Sequence, residues 1–133
     1  MSQMIFVNLP VKDLEKSKAF YQAVGFRNEP KFTNDQAAAM VLSDTIYVML
    51  LTRDFWKTFT DKAIVDAKSQ AQVLLCISRD SRQAVDDIVG QAVQAGGAAD
   101  PCPKQDAGFM YGRSFEDPDG HIWEPMWMSQ EAG

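Results

Sequence analysis

A pattern of strand, helix and three strands occurs twice in this 133-residue chain, and the repetition restricts the fold more than any single residue does. In the first pass Ile5 to Leu9 reads as a strand. Asp13 caps a helix with Glu15 in its first turn, and Leu14, Ser17, Tyr21 and Val24 share one face. Gly25 ends that helix. Strands are expected at Phe26 to Phe32, Ala37 to Leu42 and Ile46 to Thr52, the last two joined by Ser43-Asp44. In the second pass Gln72 to Ser78 is a strand and Ser81 an N-cap. Val85, Ile88, Val89, Ala92 and Val93 form a helical stripe, and Gly96-Gly97 stops it. A short strand near Ala98, a loop over 101 to 108, a strand from Phe109 to Phe115 and a last strand from His121 to Met128 complete the unit. "VKD" at 11 to 13 aligns with "SRD" at 78 to 80, an offset of 67, and "SDTIYV" at 43 to 48 aligns with "DGHIWE" at 119 to 124. The expected class is therefore α+β: one domain over 1–133, built of two tandem β-α-β-β-β modules at about 4–53 and 71–129, with a linker at 54–70.

Composition excludes several functions. An apolar fraction of 46% supplies an ordinary core. Thirteen basic and 18 acidic side chains leave a net charge of −5, which offers nothing to nucleic acid or anionic lipid. No apolar run reaches the ~20 residues that span a bilayer. "MSQMIFVNLP" has no basic region of the kind that opens a signal peptide, so a cytoplasmic location is expected. The two cysteines lack CxxC spacing, and Cys76, in an apolar strand pattern, reads as a small buried hydrophobe. His121 is the single histidine, which excludes multi-histidine zinc sites. GxSxG, GxGxxG and GxxxxGK[ST] are all absent.

Two stretches carry a family resemblance. "LPVKDLEKSKAFYQAVGF" at 9 to 26 resembles the opening signature of the vicinal oxygen chelate superfamily, which includes glyoxalase I, extradiol dioxygenases and bleomycin-resistance proteins. "FEDPDGHIWEPMW" at 115 to 127 resembles the closing one. The resemblance implies that the two modules form a cup-shaped mixed sheet, that the protein is a homodimer, and that ligands of any metal come from the first and last strand of each module. Carried over strand by strand, those positions are Phe6, Val48, Val73 and Glu124. Only Glu124 is a ligand type. A slip of one residue would substitute Asn8 or Gln72, both weaker donors. A divalent cation needs several N or O donors, so no metal or other cofactor is expected.

The remaining candidates have local readings. Asp117-Pro118-Asp119-Gly120 suits a type I turn, and His121 reads as a hydrogen-bonded hairpin residue beside it. Trp123 and Trp127 alternate with Glu124 and Met126, so the tryptophans belong to the core if Glu124 faces the cup. Glu124 is either a general base with a raised pKa or a structural carboxylate paired with Arg113. Tyr111 and Arg113 either clamp a planar or acidic ligand or lie on the surface. Met40, Met49, Met110, Met126 and Met128 suit a core or an adaptable lining. Phe55, Trp56 and Phe59, in an otherwise polar segment, suit a lid or a dimer contact.

The expected function is that of a glyoxalase/bleomycin-resistance-like protein that binds a small, largely apolar molecule in a cup lacking the usual metal site. The alternative is a metal-dependent lyase, isomerase or dioxygenase of the glyoxalase type, using Glu124.

Overall fold

Asp13 starts the first helix as its pattern requires: the carboxylate accepts the Lys16 N–H at 3.1 Å. In the computed structural model, which describes residues 2–130, that helix is α1, Leu14–Ala23. Ser17, Phe20 and Tyr21 are buried on it. Gly25, at φ +103°, turns the chain out of the helix, and the Phe26 N–H returns to the Tyr21 carbonyl at 2.9 Å. The Tyr21 ring meets those of Phe20 and Phe26 edge to face, each at 5.2 Å.

The chain divides into two compact units, one ending at Val65 and the other beginning at Asp66. In the first, β1 (Ile5–Val11) is followed by α1, β2 (Arg27–Glu29), a 3-10 turn at Pro30–Phe32, β3 (Ala37–Ser43), β4 (Ile46–Thr52) and the one-turn helix α2 (Arg53–Trp56). Its sheet order is β1-β4-β3-β2, with β1 parallel to β4 and the other pairs antiparallel. Helix α1 packs on β3 and β4. Val48 and Leu50 on β4 are fully buried, as are Ala38 and Met40 on β3. Each large side chain so buried contributes about 1.5–3 kcal/mol.

The second unit repeats the parallel pairing of first and last strands around one helix, but its sheet has six strands rather than four. It contains β5 (Leu75–Ser78), α3 (Arg82–Gln94), β6 (Ala98–Ala99), β7 (Gln105–Asp106), β8 (Met110–Gly112), β9 (Phe115–Glu116) and β10 (Ile122–Met128). β10 runs parallel to β5 and antiparallel to β8 and β9; β6 pairs with β9, and β7 with β8. Ser81 caps α3 by accepting the Ala84 N–H at 3.0 Å. Val85, Ile88, Val89 and Ala92 are buried, with the flat pair Phe115 and Trp123 stacked at 6.5 Å in the same core. No helix among the described residues is long and apolar enough to cross a membrane.

Five expectations need correction. The strand expected at 26–32 covers only 27–29, because Pro30 starts a 3-10 turn. The strand expected at 72–78 begins at Leu75. Val93 is half exposed and outside the α3 stripe. The strand expected at 109–115 is broken into β8 and β9. The break is opposite Pro125, whose carbonyl accepts the Arg113 N–H at 3.2 Å but which has no N–H to return. Part of the expected loop at 101–108 supplies β7 instead.

Candidate functional site

The parallel pairing of β1 with β4 places Phe6 opposite Tyr47 and Asn8 opposite Met49. Because side chains alternate along a strand, these four stand on the sheet face turned away from Val48, Leu50 and α1. They floor a cavity of about 540 Å³, completed by Met4, Phe32, Ala39, Leu51, Phe55 and Phe59. Thr52 makes the last two available: its hydroxyl accepts the Phe55 N–H at 3.3 Å and starts α2, which turns Phe55 and Phe59 into edge-to-face contact at 5.1 Å. Trp56 does not line the cavity, and its indole N–H is buried without an acceptor. None of the ten lining side chains is charged. Asn8 and Tyr47 are the polar ones, and among the described residues neither side chain hydrogen-bonds to protein.

In the second unit the parallel pairing of β5 with β10 places Cys76 opposite Glu124. Trp123 and Pro125 are buried on the α3 side, so Glu124 lies on the other face, as the alternation predicted. Cys76 is exposed rather than buried in the core. Its thiol is nevertheless pushed above the ordinary cysteine range, first by desolvation on the sheet and then by the Glu124 charge. Glu124→Gln should therefore lower the Cys76 pKa and increase its thiolate fraction at pH 8. Iodoacetamide should alkylate Cys76 about two- to fivefold faster in that variant, given that a thiolate is the reacting form. Measured with Cys102→Ser in both backgrounds, unchanged rates would mean that the two groups do not interact.

Tyr111 and Arg113 belong to a different cluster. Arg113 donates to Asp100 at 2.7 and 3.1 Å and to Asp86 at 3.0 Å, and the Tyr111 hydroxyl donates to Asp86 at 2.7 Å. Arg82 holds Asp106 through two nitrogens at 2.9 and 3.1 Å, with its guanidinium about 5 Å from the Tyr111 and Trp127 ring centres (5.1 and 5.3 Å). The Asp106 carboxyl is held at about 2, chiefly by Arg82. Asp86 and Asp100 are also lowered, Asp86 first by the Tyr111 hydroxyl and Asp100 first by Arg113. Arg113 thus pairs with Asp86 and Asp100, not with Glu124. It stands opposite Pro125 on the α3 side of the sheet, whereas Glu124 is on the other side.

Residues 3–42 match a family profile described as bleomycin resistance protein-like, N-terminal. Among solved structures, a hypothetical protein from S. aureus is 25% identical with a TM-score of 0.79, covering 96% of this chain and 94% of that one. A glyoxalase-related enzyme from Fulvimarina pelagi is 21% identical with a TM-score of 0.77, covering 96% and 88%. A glyoxalase/bleomycin resistance protein/dioxygenase family enzyme from Burkholderia phytofirmans is 19% identical with a TM-score of 0.75, covering 96% and 99%. This is the vicinal oxygen chelate fold. No curated protein matches the chain significantly in sequence.

Within the vicinal oxygen chelate fold the two units correspond by a register one residue away from the expected one. Asn8 and Met49 form a directly opposed pair on the face away from the helix, and so do Cys76 and Glu124. The matching offsets are 68 on the first strands (8 to 76) and 75 on the last (49 to 124). A one-residue shift moves a strand's side chains to the opposite face. Hence Val48, expected to line the site, is buried under α1, and Met49 takes its place. Val73 lies before β5 and is exposed, and Cys76 occupies the equivalent of Asn8. Phe6 and Asn8 do line the cavity. Tyr47 was not among the expected candidates, whereas Met49 was read as core or adaptable lining and Phe55 and Phe59 as a lid or dimer contact; the alternation in "IYVMLLT" was the available signal for Tyr47.

The metal of vicinal oxygen chelate enzymes is not suited by these donors. The four positions offer one amide oxygen and a thioether in the first unit, and a thiol and one carboxylate in the second. A divalent cation takes several carboxylate, imidazole or similar donors. Among the described residues no group of three His, Cys, Asp or Glu side chains is placed to hold a metal ion.

Proposed function

We propose that this chain binds a small, largely apolar molecule and holds it without metal chemistry, as a sequestering protein of the glyoxalase/bleomycin-resistance type. The cavity on the first sheet carries this reading: about 540 Å³, walled by aromatic and thioether side chains, with no charge in its lining. That volume is within the ~300–1,000 Å³ that holds drug-sized ligands. A metal-dependent lyase or dioxygenase acting through Glu124 would need donors that the four sheet positions do not provide. Two free thiols suit a reducing, cytoplasmic setting. Exposed Ile5 on β1 supplies apolar area suited to a homodimer.

The direct test is titration with N-phenyl-1-naphthylamine, an uncharged probe whose emission rises in apolar surroundings. Saturable binding of one probe per chain is expected. Met49→Trp, which fills the cavity from its floor, should weaken it at least about tenfold, a loss of ~1.4 kcal/mol. Binding that never saturates, or that is indifferent to Met49→Trp, would sink the proposal. Sedimentation of the same samples should show a species of twice the chain mass; a monomer at all concentrations would dismiss the dimer.

A further inference from the structure

The lining of the first-unit cavity is specific in its chemistry. Five of its side chains are aromatic: Phe6, Phe32, Tyr47, Phe55 and Phe59. Two ring pairs are already arranged, Phe6 with Tyr47 at 4.9 Å and 31°, and Phe55 with Phe59 at 5.1 Å and 70°. Such rings gain from a further flat ring in offset or edge-to-face contact beyond the area it covers, and a flexible chain lacks that gain. The polar lining groups, the Asn8 amide and the Tyr47 hydroxyl, are both neutral, and neither hydrogen-bonds to another described residue. They sit on adjacent strands, Asn8 two residues along β1 from the residue opposite Tyr47.

We infer that the cavity selects an uncharged, planar aromatic molecule carrying one hydrogen-bonding group, which Asn8 and Tyr47 hold. The inference rests on the small-molecule reading above and narrows it to one ligand class. An ionised ligand would leave water for a lining with no compensating charge. A ligand with no polar group would leave the amide and the hydroxyl without partners where it covers them.

Two matched pairs of probes test this. N-phenyl-1-naphthylamine and 8-anilino-1-naphthalenesulfonate share their rings and differ by a sulfonate. The neutral probe should bind at least about tenfold tighter, because the cavity offers the sulfonate no partner. 2-Naphthol and 2-methylnaphthalene differ by a hydroxyl in place of a methyl, and both can be read as competitors of N-phenyl-1-naphthylamine. Replacing Asn8→Leu together with Tyr47→Phe should weaken 2-naphthol about five- to tenfold, the worth of one hydrogen bond, and leave 2-methylnaphthalene as tight or tighter. Asn8 is exposed and Tyr47 half-buried, so the variant should keep its thermal midpoint, which is measured alongside. Equal affinity for the charged and neutral probes overturns the inference, as does an equal loss for both competitors. If N-phenyl-1-naphthylamine itself fails to bind, the underlying small-molecule reading falls first. Probe binding that disappears as the chain dimerises would make a second copy the occupant and also overturn the assignment.

Discussion

Gly120→Ala should lower the thermal midpoint by about 10–15 °C, corresponding to roughly 3 kcal/mol or more. Two separate effects add. Gly120 has φ +101°, a conformation that costs a side-chain-bearing residue about 1–3 kcal/mol. A Cβ there would also stand 2.7 Å from the Ala67 carbonyl carbon and the Lys68 nitrogen, both backbone atoms that cannot swing aside. Displacing them adds an overpacking penalty of about 1–3 kcal/mol. The turn around Gly120 resists relaxation. Asp117 is buried, its carboxylate accepts the Asp119 and His121 N–H groups at 2.9 Å, and the Gly120 N–H reaches the Asp117 carbonyl at 3.0 Å. Gly25→Ala is the control. Gly25 has φ +103° but nothing within 4 Å of its Cβ position, so only the conformational cost applies. Calorimetric melting of both variants separates the two effects. Equal losses would mean that the contact with residues 67 and 68 does not constrain the turn.

Arg113→Met should cost about 2 kcal/mol at pH 7, or roughly 6–10 °C in midpoint. Breaking a fully buried pair costs ~3–5 kcal/mol, but the Asp86 side chain is 43% exposed, so solvent recovers part of that. The variant leaves Asp86 and Asp100 without their guanidinium. The pH dependence follows from the direction of the shifts. Asp86, Asp100 and Asp106 all have carboxyls lowered by folding, so each contributes stability that is complete above the ordinary carboxylate value near 4. That stability is lost as pH falls through the folded values, about 2 for Asp106. The difference between wild type and Arg113→Met should therefore be constant from pH 7 to about 5 and narrow below 4 as Asp86 and Asp100 take up protons; Asp106, held by Arg82, contributes equally to both proteins. A difference that stays constant down to pH 2 would show that the arginine acts through packing alone.

Much of the scaffold could be read directly. Ile46–Thr52 has the limits expected of it, since β-branched and aromatic residues stand between a turn and a capping threonine. Asp13, Gly25, Ser81 and the Gly96-Gly97 pair act locally, and the helices begin and end where they predict to within a residue. The candidate site was legible only in part. Phe6 and Asn8, named from the sequence, line the cavity, but Val48 was named and Met49 lines it instead, because "VKD" with "SRD" and "SDTIYV" with "DGHIWE" align letters rather than faces. Cys76 looked like core because it sits in an apolar run, but only one face of β5 is covered.

By itself the sequence determined the repeated strand-helix-strands pattern, the helix caps and the turn at Asp117–Gly120. These depend on residue types at short separations, where backbone conformation and hydrogen bonding are local. Tertiary structure alone decided which side chains face the cavity, that Arg113 belongs to Asp86 and Asp100, and that Cys76 stands opposite Glu124. Those outcomes depend on strand pairing between distant segments. There a shift of one residue reverses every side chain while leaving the local pattern nearly unchanged.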